Sequence, residues 1–119
     1  MRLFFAPLMI GLTSATMAAA APDLQNLDAA SCDQYLEIKS TLYDTPLENV
    51  SFVNETDGTR TIAWINYEGG VVHYSTLASG ETFVVNTFET HPWLIVDDDG
   101  KCREMFLLGI PGETVKITK

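Results

Sequence analysis

The sequence predicts an all-β domain, an antiparallel sandwich of seven or eight strands preceded by a short N-terminal helix or arm. Three observations carry that expectation. Strand-type segments recur at intervals of about ten residues beyond Ser40, clusters of Gly, Asp, Asn, Ser and Pro separate them, and no long helical period follows Ser40. Neither an internal repeat nor a low-complexity stretch interrupts the series.

The elements follow in order. Leu24, Leu27, Tyr35, Leu36 and Ile38 recur at mixed three- and four-residue spacing, so residues 23–39 read as a short helix or ordered arm carrying Cys32. Val50 to Asn54 is the first strand, closed by the turn Thr56-Asp57-Gly58-Thr59. Arg60 to Tyr67 alternates, with Ile62 and Trp64 on one face and Ala63, Ile65 and Tyr67 on the other. Glu68-Gly69-Gly70 turns into Val71 to Tyr74. Ala78-Ser79-Gly80-Glu81 leads into Thr82 to Phe88, where Phe83, Val85 and Thr87 share a face. His91 to Val96, Lys101 to Leu108 and Thr114 to Ile117 complete the set, separated by Asp97-Asp98-Asp99-Gly100 and Pro111-Gly112.

Residues 1–20 have a different texture. A single Arg2 precedes an apolar run from Leu3 to Leu12, and Ala18-Ala19-Ala20 supplies the small residues a signal peptidase requires, so residues 1–20 read as a secretory signal peptide cut before Ala21. The apolar core is about half the roughly 18–25 residues of a membrane span, so no membrane anchor is expected. Residues 21–40 then form the arm and residues 41–119 the sandwich. Removing the leader takes away Arg2 and no acidic residue, leaving 6 basic against 16 acidic residues and a net charge of -10. So acidic a surface gives a phosphate backbone or an anionic membrane no counter-charge, and nucleic acid is not an expected partner.

Export would place the protein in the periplasm or outside the cell, where an even cysteine count is a disulfide count. Cys32 and Cys102 are therefore expected to form one bridge, within one chain or between two. With both cysteines so used and only two histidines, no metal site and no cofactor are expected. The run Asp97-Asp98-Asp99-Gly100 does not read as a calcium loop, because its twelfth position is Leu108 and not a glutamate; a hairpin turn accounts for it. Asn49-Val50-Ser51 and Asn54-Glu55-Thr56 fit the glycosylation pattern. There is no Gly-x-Ser-x-Gly elbow and no other reaction-specific motif, which argues against an enzyme.

Trp64, Tyr74, Thr87, His91 and Trp93 fit a simple alternating core poorly. His91 and Trp93 stand two apart across Pro92 and point to one side. Should neighbouring strands bring Trp64 and Tyr74 beside them, an aromatic-walled slot with hydroxyl and imidazole groups results. Tryptophans buried as plain core are the alternative reading of the same residues.

Val50-Ser51-Phe52-Val53-Asn54, Trp64-Ile65-Asn66-Tyr67-Glu68-Gly69, Tyr74-Ser75-Thr76-Leu77, Gly80, Thr87-Phe88, His91-Pro92-Trp93-Leu94 and Asp97 resemble, in order and spacing, the β domain of the von Hippel-Lindau tumour suppressor family. The similarity reaches upstream to Ile38-Lys39-Ser40. It implies a sandwich whose surface pocket binds 4-hydroxyproline in an extended peptide. Carried over position by position, the resemblance gives Trp64 and Trp93 as wall and floor for the pyrrolidine ring, Tyr74 as a contact to the peptide backbone, and Thr87 and His91 as contacts to the ring hydroxyl. The family usually has serine where Thr87 stands and histidine where Asn86 stands. The chain reaches only Lys119, leaving no room for the family's helical, ligase-recruiting half, so no ubiquitin-ligase partner is expected.

The function expected is that of an exported, non-catalytic binding module for a prolyl or hydroxyprolyl ring in a peptide or protein. Two further readings compete with it. One is a structural or assembly subunit whose Trp64–Trp93 region is filled, and the other is a carbohydrate-binding module, since tryptophan and tyrosine also stack on sugar faces.

Overall fold

The structure, a computed structural model, describes residues 32, 39–42 and 45–119. Among the described residues there are seven strands and no helix: β1 (Pro46–Asn54), β2 (Arg60–Ile65), β3 (Val71–Leu77), β4 (Thr82–Phe88), β5 (Pro92–Val96), β6 (Cys102–Leu107) and β7 (Thr114–Ile117). They form a three-stranded sheet of order β4-β1-β7 and a four-stranded sheet of order β3-β2-β5-β6. The expected signal peptide, and the arm apart from Cys32, Lys39 and Ser40, lie outside the described residues.

Each sheet is built by period-two alternation. In the four-stranded sheet, Ile62 and Trp64 of β2 and Trp93 and Ile95 of β5 face the three-stranded sheet, and with Leu47, Val50 and Phe52 of β1 and Val115 and Ile117 of β7 they make the main core. Phe52 sits at its centre, with ring centroids 5.6 Å from Trp93, 6.4 Å from Phe83 and 6.5 Å from Phe106. The other face of the four-stranded sheet carries a second apolar layer of Ala63, Ile65, Val71, Leu94 and Val96. Cys32 is buried in that layer, bonded to Cys102 of β6 at a Cα–Cα distance of 5.8 Å, so the bridge closes within one chain. Covered on both sides, β5 is buried along its whole length, which is why its sequence is continuously apolar rather than alternating.

The sheets are not wholly antiparallel as expected: β7 pairs with β1 in parallel. β6 and β7 belong to different sheets, so the link between them crosses the sandwich and is not a hairpin. A crossing strand is free of the antiparallel constraint that a tight turn imposes. The link is fixed on arrival, Gly112 N–H donating to the Glu48 carbonyl and Ser51 N–H to that of Glu113, both at 2.9 Å.

Short polar side chains build the turns. Asp97 Oδ1 accepts from the N–H groups of Asp99 (2.9 Å) and Lys101 (3.0 Å), closing the acidic hairpin onto itself. Asn54 is fully buried: Nδ2 donates to the carbonyls of Gly58 (2.8 Å) and Leu77 (3.0 Å), and Oδ1 accepts from Thr56 N–H (3.0 Å) and Thr56 Oγ1 (2.7 Å). Its amide is thus committed to the fold, which closes the Asn54-Glu55-Thr56 triplet to modification. Asn66 Oδ1 likewise accepts from Glu68 N–H (3.0 Å) and Gly70 N–H (2.7 Å), with Gly69 at φ +86°. That turn ends β2 at Ile65, and the alternation that placed Tyr67 with Ala63 and Ile65 no longer applies to it.

Candidate functional site

Trp64 of β2 and Trp93 of β5 are directly opposite one another in the four-stranded sheet. Both face the neighbouring sheet, and a solvent-open cleft of about 330 Å³, lined by Trp64, Tyr67, Tyr74, Asn86, Thr87, Phe88, His91 and Trp93, lies over them. All five residues singled out in the sequence meet there. Much of the cleft's space is open to solvent and only about 120 Å³ is cavity, less than a drug-sized pocket and on the scale of one ring or side chain.

The local sequence departs from regular strand geometry wherever the cleft needs a side chain. Ile62 pairs with Ser75 and Ala63 with His73, so Tyr74 is the extra residue of a bulge in β3. Its ring stands nearly perpendicular to both tryptophans, 6.1 Å and 79° from Trp64 and 4.9 Å and 77° from Trp93. It is 43% exposed, at the cleft's rim. A second bulge sets Glu48 and Asn49 of β1 against Asn86 of β4, beside Thr87. Asn49 takes φ +58° there, and its N–H donates to Asn86 Oδ1 at 3.0 Å. Asn86 therefore braces the bulge with its amide oxygen. Past β4, Thr90 at φ +63° closes a turn in which His91 N–H donates to the Phe88 carbonyl, at 3.3 Å. The turn folds Phe88 back to 5.0 Å from the imidazole.

The walls are aromatic, and Asn86, Thr87, His91 and the two tyrosines give the lining nearly as much polar as apolar surface. Thr87 is 5% exposed and Trp93 1%; Trp93 Nε1–H donates to Thr87 Oγ1 at 3.0 Å. That bond uses an acceptor site of the hydroxyl and leaves its proton to donate. His91 is 3% exposed and bonded through both ring nitrogens. Nδ1 accepts from Trp64 Nε1–H at 3.3 Å, and Nε2 lies 3.0 Å from the Thr41 carbonyl. An indole N–H can only donate and a carbonyl can only accept, so the neutral Nε2–H tautomer satisfies both. His91 thus serves the cleft's own walls, whereas the resemblance assigns it to the ring hydroxyl. Thr87 and His91 are each bonded to a tryptophan and not to one another, so no nucleophile–base pair is formed. The arrangement is suited to holding a small, mostly apolar ring that carries one acceptor.

Tyr67 and Phe88 are cleft residues that sequence reading did not single out. Tyr67 packs edge-on to Trp64 at 5.4 Å and to His91 at 5.6 Å. The signal for Tyr67 was available in Asn66-x-x-Gly69-Gly70, a turn that ends the strand before Tyr67. Phe88 follows Thr87 directly, and strict alternation sends it to the far face; the positive φ of a β-branched Thr90 has no signature in the sequence.

A family model described as VHL beta domain matches residues 38–108, more than half of the chain and a span containing every residue that lines the cleft.

Proposed function

From the premise that the chain belongs to the VHL beta-domain family, whose β domains are binding domains that recognise hydroxyproline-containing peptides, we propose that it is an exported, non-catalytic module whose cleft takes a prolyl or hydroxyprolyl ring of an extended peptide. The observation that carries the reading is the Thr87 hydroxyl at the base of an aromatic slot, with one lone pair taken by Trp93 and its proton left to donate. The oxygen of a hydroxylated ring satisfies that proton, whereas a plain pyrrolidine leaves it unpaired, at about 1–3 kcal/mol for a buried polar group. Trp64, Tyr67, Tyr74 and Trp93 supply the apolar and ring-face contacts.

The sheet arrangement supports an extended ligand. Among the described residues β4 pairs with β1 alone, so the strand carrying Asn86, Thr87 and Phe88 is an edge. An edge strand offers main-chain groups to an added peptide strand while a pocket beside it reads a side chain. An open cleft over Trp64 and Trp93 also favours a separate occupant over an assembly role in which that region is filled.

Calorimetric titration with proline and hydroxyproline versions of one extended peptide tests the proposal. Binding of the hydroxyproline version that weakens in Trp64→Ala and Tyr74→Ala supports it. Failure of both peptides to bind, or binding indifferent to both substitutions, sinks it. Cleavage before Ala21 in an exporting host, read by N-terminal sequencing of the secreted product, tests export separately.

A further inference from the structure

Two residues ahead of β1 reach the back of the cleft. The Ser40 hydroxyl donates to the Ile65 carbonyl at 2.6 Å and its N–H to the Asn66 carbonyl at 3.2 Å. Ser40, 2% exposed, is thereby bound to the two positions that precede Tyr67 in the wall. One residue further, the Thr41 carbonyl accepts from His91 Nε2. Upstream of both, Cys32 is fixed to β6 by its disulfide with Cys102.

We propose that the Ser40–Thr41 segment, anchored by the Cys32–Cys102 disulfide, is a positioning element of the cleft that fixes His91 as the Nε2–H imidazole and through it orients the Trp64 wall. The proposal concerns the unliganded protein and holds whichever ring fills the cleft. Its logic is one of polarity. With the Thr41 carbonyl in place, the imidazole proton is held on Nε2 and Nδ1 stays an acceptor for the Trp64 indole. Once that carbonyl is withdrawn, the proton is free to move to Nδ1, where it meets the indole N–H donor to donor and releases the ring. The same segment holds the base of the Asn66 turn, so two walls, Trp64 and Tyr67, share one support. A pocket whose walls are fixed before the ligand arrives avoids the ordering cost of binding, and reduction of the disulfide would loosen it.

The test uses nitrogen-15-labelled protein without ligand, in three forms: oxidised, reduced, and oxidised Ser40→Ala. Long-range proton–nitrogen correlations read the His91 tautomer, and hydrogen exchange reads the two indole N–H groups. The oxidised protein should show His91 as Nε2–H. In the reduced and Ser40→Ala forms, His91 should become a mixture of tautomers, and the Trp64 indole should exchange about tenfold faster, the change that one lost hydrogen bond sets. The Trp93 indole, held by Thr87, should keep its rate and report that the sandwich is intact. An unchanged His91 tautomer and Trp64 exchange rate in Ser40→Ala overturns the proposal. Loss of Trp93 protection on reduction signals general unfolding, and the oxidised Ser40→Ala form then decides alone.

Discussion

Thr87→Val is the sharpest perturbation of the proposed site, because valine keeps the branched shape and removes only the hydroxyl. Two effects should follow. Trp93 Nε1–H, in a side chain 1% exposed, loses its acceptor at 3.0 Å, and a stranded buried donor costs about 1–3 kcal/mol. For a domain of this size the melting temperature falls roughly 4–8 °C per kcal/mol, so the loss is readable by thermal unfolding. The second effect is on selectivity. If the Thr87 proton pairs with the ring oxygen of hydroxyproline, the hydroxylated peptide should bind wild type about 1–2 kcal/mol more tightly than the plain one, a ratio of roughly 5–30 in Kd. In Thr87→Val that ratio should fall to about one, chiefly through weaker binding of the hydroxylated peptide. Thr87→Ser, which retains the oxygen, should keep both the ratio and the bond to Trp93. Calorimetry with the peptide pair on all three proteins gives the answer. A Kd ratio in folded Thr87→Val equal to that of wild type would refute the assignment of Thr87 as the group that reads the ring oxygen.

Further expectations concern the frame around the cleft. Asn54→Ala removes a buried amide that makes two donor and two acceptor bonds and should cost about 2–4 kcal/mol in urea unfolding; Asn54→Asp should fall nearly as far, since it loses both donors. Reducing Cys32–Cys102, 70 positions apart, should lower stability by about 4 kcal/mol through the loop freed in the unfolded chain, measured as the shift in urea midpoint with and without reductant. Phe52→Ala, at the meeting point of Phe83, Trp93 and Phe106, should cost about 3–5 kcal/mol, and peptide binding should weaken in the molecules that remain folded because Phe52 lies beside the Trp93 floor.

Much of the fold was legible because each strand carries its own record of burial. Ile62 and Trp64 against Ala63 and Ile65, or Phe83, Val85 and Thr87 along β4, report faces without reference to any partner. What a strand's pattern does not report is its neighbour or its direction, so the parallel pairing of β7 with β1 was hidden: Val115 and Ile117 alternate identically either way. The start of β1 was hidden for another reason. Pro46 and Leu47 belong to the strand, but the bulge at Glu48 and Asn49 breaks the alternation that would join them to Val50. At the site, the five residues that stood out were those too polar or too large for their places in an alternating core. Tyr67 and Phe88 escaped because turns carry them there, and the support from Ser40 and Thr41 escaped because its contacts reach 25 and 50 positions along the chain.

The misses share a cause that bears on how the site is built. Regular strands deliver alternate residues to a face, yet this cleft requires Trp64 and Tyr67 three apart and Thr87 and Phe88 adjacent. It is therefore assembled from breaks in regularity: the Tyr74 bulge, the Asn49 bulge beside Thr87, and the left-handed turn at Thr90. Such breaks oppose folding. A threonine in the left-handed region costs about 1–2 kcal/mol, and an asparagine there somewhat less, before the lost ladder hydrogen bonds are added. The elements that offset this are the Phe52 core, the second apolar layer, and a disulfide contributing about 4 kcal/mol, more than both left-handed residues together. In this reading the disulfide's magnitude and its location have one explanation. A small domain that places its irregular backbone around a cleft gains from a long-range constraint, and here that constraint ties β6 to Cys32, upstream of the Thr41 carbonyl that His91 meets.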